Sequence, residues 1–148
     1  MDTLSKEERS TRMSKIRSKD TTPEMILRSR LFECGLRYRK NKKDLPGKPD
    51  LIVRKYNLAI EVRGCFWHGH EDCRDGHIPK TNALFWKEKF RKNKARDKSN
   101  LKKLKNLGYR VFIVWECEIK KKDQLDIKIN EICSYLKNKF GLVLKQTN

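Results

Sequence analysis

Asp50, Glu61 and Arg63 are the residues whose types and spacing first suggest chemistry. Asp50 opens an apolar run, Leu51-Ile52-Val53; Lys55-Tyr56-Asn57 supplies a turn, and Leu58 to Val62 form a second run. Side chains alternate faces along a strand, so Glu61 and Arg63 point the same way, with Ala59 behind them. A hairpin register brings Asp50, at the start of one strand, beside Glu61 and Arg63 at the end of the other. Two acids and a cation on one sheet face suit metal-assisted phosphodiester cleavage. The acids hold a hard divalent ion through oxygen, and the cation neutralises charge on the scissile phosphate. The plainer alternative is a solvated sheet face, because these residue types are mostly exposed and the pattern is short.

The following residues carry a second kind of chemistry. Cys65, His70 and Cys73 crowd into nine residues of a loop that begins at Gly64, close enough to wrap one ion. Zinc takes about four soft or borderline ligands in a tetrahedron, so one is missing locally. Cys117, just after the apolar run Val111 to Trp115, is the candidate for it. Four protein ligands leave no open position, which makes such a site structural. The alternative is a set of ordinary buried thiols.

The elements that must position these groups can be read around them. Ser5 with Glu8 forms a capping box for a short helix to about Ile16, almost wholly polar apart from Met13 and Ile16. So little apolar area predicts a flexible basic arm over residues 1–20, ahead of a single domain over 21–148. Thr22 as cap and Pro23 in the first turn start a helix whose core face is Leu27, Leu31 and Cys34, ended by Gly35. Leu36 to Lys40 reads as a first strand before the hairpin. A long helix follows from Asn82 to Leu107, with Trp86, Phe90, Leu101 and Leu104 near one stripe and Gly108 past its end. Tyr109 to Trp115 reads as a strand buried on both faces and parallel to a neighbour, since a helix precedes it. Leu125, Ile129, Ile132, Leu136 and Phe140 mark a closing helix ended by Gly141, with Cys133 beside the stripe. The order is helix, three strands, helix, strand, helix: a small mixed sheet with helices packed on it.

Composition narrows the partners. The 148 residues hold 37 Lys and Arg against 19 Asp and Glu, a formal charge of +18, which points to a polyanion. No segment pairs a basic face with a broad apolar one, and none approaches the roughly 18 apolar residues of a membrane span, so nucleic acid is favoured over a membrane. Five Cys without an apolar N-terminal signal region argue for a reducing cytoplasm and for thiol or metal chemistry rather than disulfides.

Several motifs in order resemble a known family. Pro46-Gly47-Lys48-Pro49-Asp50, Gly64-Cys65-Phe66-Trp67-His68-Gly69-His70, Phe85-Trp86 and Val114-Trp115-Glu116-Cys117 look like the very-short-patch-repair (Vsr) DNA mismatch endonucleases over roughly residues 10 to 120. The resemblance implies an α/β restriction-endonuclease-like core of the PD-(D/E)xK type, with a small mixed sheet flanked by helices and a structural Zn²⁺ site. It implies Mg²⁺-dependent nicking of double-stranded DNA at T:G mismatches left by deamination of 5-methylcytosine. The setting it implies is a bacterial cytoplasm, in association with the nucleoid, with other repair proteins as further partners. A monomer suffices to nick one strand.

Site residues follow by position. Spacing alone does not choose between His68 and His70 for zinc; the family motif assigns His70, giving Cys65, His70, Cys73 and Cys117. His68 is then the candidate general acid or base, as a titratable group near neutrality outside the zinc set. Its alternative is a phosphate contact. Asp50, Glu61 and the backbone carbonyl of Val62 are read as Mg²⁺ ligands. Glu24, otherwise a helix-dipole residue in a first turn, matches the family's acidic residue near the active site. Arg63 departs from the pattern: the best-known members carry a histidine there and no acid where this chain has Glu61. Arginine stays protonated and cannot act as a base, but its fork clamps phosphate. Phe66, Trp67 and Trp86 are read as a wedge that enters the mismatched step, with Met13 pressing from the opposite groove. Core packing is their alternative role, above all for Trp86. His77 and Trp115 are assigned no chemistry. Two other readings compete: a restriction- or repair-type nuclease on the same fold cutting intact duplex, and a zinc-stabilised DNA-binding module without catalysis.

Overall fold

The computed structural model describes residues 21–40, 43–71, 73 and 76–145. The expected N-terminal arm and Met13 lie outside the described residues. The first helix, α1 (Thr22–Glu33), is capped by Thr21, whose Oγ1 accepts a hydrogen bond from the Glu24 backbone N–H at 3.4 Å. The cap is therefore one residue earlier than Thr22. A cap needs extended backbone, which Thr21 has (φ −66°, ψ 160°), whereas Thr22 is already helical. At the other end, Gly35 N–H donates to Phe32 carbonyl and Leu36 N–H to Leu31 carbonyl, a Schellman closure that uses Leu36 as its apolar anchor. Leu36 thus belongs to the helix end and the core. The first strand, β1, is only Arg39–Lys40.

The hairpin follows as β2 (Leu51–Val53), a 3₁₀ turn over Arg54–Tyr56, left-handed Asn57, and β3 (Leu58–Arg63). Helix α2 (Ala83–Asn106) then crosses over to β4 (Arg110–Trp115), which pairs parallel to β3 from Leu58↔Arg110 to Arg63↔Trp115. The sheet order is β1-β2-β3-β4, antiparallel except for that last pair. A one-turn helix the sequence did not announce, α3 (Glu116–Ile119), precedes the closing α4 (Lys122–Phe140).

Side-chain alternation sorts the sheet into two faces. Leu51, Val53, Leu58, Ile60, Phe112 and Val114 pack with Leu27 and Leu31 of α1 and with Leu125, Ile129, Ile132 and Leu136 of α4. On the other face Ile52 packs with Leu104 of α2, with Tyr109 and Val111 against them. Strand β4 is therefore not buried throughout: Phe112 and Val114 are buried while Val111, Ile113 and Trp115 are half-exposed. The reason is that the α2 face is covered by one long basic helix rather than by a second apolar layer. Asp50, Glu61, Arg63 and Trp115 share the parity of Ile52, Ala59 and Val111, so all four face α2.

Candidate active site

Asp50 lies just before β2 and Glu61 and Arg63 at the end of β3, as the hairpin register required. Asp50 Oδ2 accepts a hydrogen bond from the Val62 backbone N–H at 2.6 Å, pinning the carboxyl across the hairpin. Glu61 Oε2 accepts from Arg63 Nη2 at 2.9 Å and Nε at 3.3 Å, so the two side chains act as one unit. Glu24 reaches the same place from the first turn of α1 and also accepts from Arg28 Nη2 at 2.7 Å. These groups open on a cleft of about 440 Å³, whose lining includes Glu24, Asp50, Glu61, Arg63 and His68.

The electrostatics of the cleft are those of acids kept from water. Burial pushes the Asp50 carboxyl up to about 8; the Val62 hydrogen bond opposes this, while the nearby Glu24 and Glu61 carboxyls add to it. Burial also raises Glu61, against the pull of the Arg63 guanidinium. Gly47 makes the tight approach possible. Its φ is +74°, and a Cβ there would meet Glu61 Oε1 at 3.3 Å and Asn100 Cβ at 3.1 Å.

His68 stands at the cleft edge with Nδ1 2.6 Å from Asp97 Oδ2. A carboxylate only accepts, so His68 donates through Nδ1–H, which leaves Nε2 as the nitrogen that can accept. One turn earlier on α2, buried Asn93 donates from Nδ2 to the Trp67 carbonyl at 2.8 Å. Helix α2 therefore ties the loop down at two successive points. Neither Asp97 nor Asn93 was picked out from sequence. Their signal was present, because Phe90, Asn93, Asp97 and Leu104 fall on one helical stripe where charged and amide groups interrupt apolar ones.

Beyond His68 the loop turns back on itself. His70 N–H donates to the Cys65 carbonyl at 2.9 Å and Gly69 N–H to the Phe66 carbonyl at 3.1 Å. Cys65, His70, Cys73 and Cys117 come together, with ligand atoms all within 4.8 Å of one another; Cys117 Sγ lies 3.5 Å from His70 Nδ1. Tetrahedral zinc with bonds of about 2.0–2.3 Å needs ligand separations of roughly 3.3–3.8 Å, so small movements close the set on an ion. Burial pushes the Cys65 thiol up to about 12 and raises Cys117, protons that a bound cation would displace. Trp115, given no role from sequence, stacks flat on the His70 ring (centroids 3.9 Å apart, planes 8° apart) and fixes its orientation.

Phe66, Trp67 and Trp86 form one cluster with Phe90. Phe66 meets Trp67, Trp86 and Phe90 with centroids 5.2, 5.2 and 5.4 Å away, and Trp67 and Trp86 lie 6.0 Å apart. Phe66, Trp67 and Trp86 are half-buried, so they pack on one another and still present surface.

A small mixed sheet offering buried acids, a guanidinium and an oriented histidine in one cleft has the layout of a hydrolase of phosphodiesters. Residues 1–75 match the family model described as DNA mismatch endonuclease Vsr. The chain is 44% identical over 137 residues to the type II nicking enzyme V.NmeAIP of Neisseria meningitidis serogroup A, covering 93% of this chain and 97% of that protein. It is 42% identical over 131 residues to the type II nicking enzyme V.XorIIP of Xanthomonas oryzae pv. oryzae, covering 88% and 96%. With the DNA mismatch endonuclease Vsr of Escherichia coli K12 it shares 41% over 124 residues, 84% of this chain and 79% of that protein. The chain belongs to the Vsr DNA mismatch endonuclease family and is a DNA endonuclease.

Proposed function

We propose that this endonuclease nicks one strand of duplex DNA at T:G mismatches, by Mg²⁺-dependent hydrolysis on a restriction-endonuclease-like core. The observation that carries the reading is the convergence of Asp50, the Glu61–Arg63 pair and His68 on one cleft, with Asp97 behind the histidine. The mismatch is taken from the name of the Escherichia coli relative, and nicking from that of the Neisseria relative.

The donor set suits a hard dication: oxygen ligands whose desolvation and mutual repulsion raise the Asp50 carboxyl are what such a charge relieves. Asp50, Glu61 and the Val62 carbonyl are the ligands we assign, with Glu24 beside them. Mg²⁺, when bound, supplies Lewis-acid polarisation of the scissile phosphate and a more acidic water. His68 accepts the proton of the attacking water at Nε2, the nitrogen left free by its bond to Asp97. Arg63, steadied by Glu61, neutralises a phosphate oxygen rather than moving a proton. Phe66, Trp67 and Trp86 enter the base step at the mismatch, which opens more cheaply than a paired step, so the wedge itself discriminates. Met13 and the arm over residues 1–20 press from the other groove. Zn²⁺ suits the soft quartet Cys65, His70, Cys73 and Cys117, where it would close the loop that carries His68, Phe66 and Trp67.

Strand-resolved cleavage of T:G and T:A duplexes, in Mg²⁺ or in EDTA, tests the reading. One strand should be cut, in the T:G duplex only, and only with Mg²⁺. Equal cutting of both duplexes would remove the mismatch from the account, and cutting in EDTA would remove the metal.

A further inference from the structure

Phe85 is the ring of the aromatic cluster with the most free surface. It is 60% exposed, yet it meets Trp86 edge-on at a centroid distance of 5.2 Å, continuing the line that runs through Trp86 to Phe66 and Trp67. It lies in the first turn of α2, off the stripe by which Phe90, Asn93 and Leu104 pack on the rest of the molecule. Its edge contact with Trp86 covers only part of the ring, and the rest of the phenyl surface is left in water. The helix that carries it is dense in cations, with Lys87, Lys89, Arg91 and Lys92 in the next two turns. An aromatic edge bordered by positive charge matches a nucleobase bordered by phosphates.

We propose that Phe85 is a fourth ring of the wedge, making apolar contact with the opened base step beside Trp86 and so contributing to mismatch selectivity. The inference rests on the proposed opening of the mismatched step by Phe66, Trp67 and Trp86. Base–aromatic contacts of this kind, when truncated to alanine, lower affinity or rate by roughly 5- to 100-fold. Leu84 is a matched control, a neighbouring apolar side chain without a ring that is 85% exposed.

The test uses a T:G duplex with 2-aminopurine beside the mismatch, whose fluorescence rises on unstacking. Phe85→Ala should reduce both the fluorescence rise and kcat/KM for T:G nicking by roughly 5- to 100-fold. Phe85→Trp should keep them, and Leu84→Ala should leave both within about two-fold. On a duplex whose step is already opened by an abasic site, Phe85→Ala should nick like wild type, because no unstacking is left to do. If wild type shows the fluorescence rise and Phe85→Ala matches it, the inference fails while the wedge stands. If Phe85→Ala loses activity equally on the opened duplex, or lowers the melting temperature, the ring is structural and the inference is overturned. If wild type itself neither unstacks the step nor prefers T:G, the mismatch reading falls first.

Discussion

At the scale of single residues, the chemistry turns on how Asp97 and Asp50 are held. In the proposed mechanism Asp97 fixes which nitrogen of His68 accepts the proton, which makes it a positioning residue. Asp97→Asn should lower kcat by roughly 10²- to 10⁴-fold with duplex affinity unchanged, and adding His68→Ala should cost little more, since the pair acts as a unit. Single-turnover nicking alongside a binding titration separates these quantities. Asp50 gives a prediction about pH in metal-free protein. Its folded-state value, about 8, lies above the ordinary 3.8. Unfolding thus releases a proton anywhere between those limits, and this contribution to stability is full below about 4 and lost as pH climbs toward 8. Urea denaturation in EDTA across that range should show stability declining with pH in wild type and a flatter profile in Asp50→Asn. Identical slopes would mean that Asp50 is not the desolvated acid responsible. Asp50, Glu61, Arg63 and His68 were all legible in sequence because each sits inside a short motif. Asp97 showed only as a charge interrupting the apolar stripe of α2, and its pairing with His68 did not show, because that partner is 29 residues away.

At the scale of elements, α2 and the Cys/His loop hold each other in place. Leu104 is fully buried and is the main apolar anchor of α2 on its sheet face, so Leu104→Ala should cost about 2–5 kcal/mol and loosen the Asn93 and Asp97 ties with it. Calorimetry or urea denaturation reads the first effect, and nicking beyond the stability loss reads the second. Removing the proposed zinc, or replacing Cys117 with Ser, should lower the melting temperature by about 10 °C or more. It should also change tryptophan fluorescence, because Trp115 stacks on His70. Unchanged melting after verified metal removal would contradict a structural zinc. Helix spans and the parallel β3–β4 pair were readable from periodicity and from the crossover an intervening helix demands. The one-turn α3 was not, since four residues, Glu116–Ile119, are too few to show a period. Nor was the half-exposure of β4, because an apolar run does not reveal what will cover each face.

At the scale of the whole molecule, a charge of +18 makes duplex binding an electrostatic event. Affinity should fall with a slope of about −0.9 per phosphate contacted on a log–log plot against salt. Binding alone, however, is equally expected of a module with no catalysis, whereas a nuclease must cut the backbone at the cleft. Single-turnover nicking of a T:G duplex by Asp50→Ala, at saturating protein and with binding measured in parallel, tests that claim most directly. Duplex affinity should stay within a few-fold of wild type while nicking falls by at least about 10³-fold. A variant that binds and nicks at the wild-type rate without this carboxylate would contradict the account.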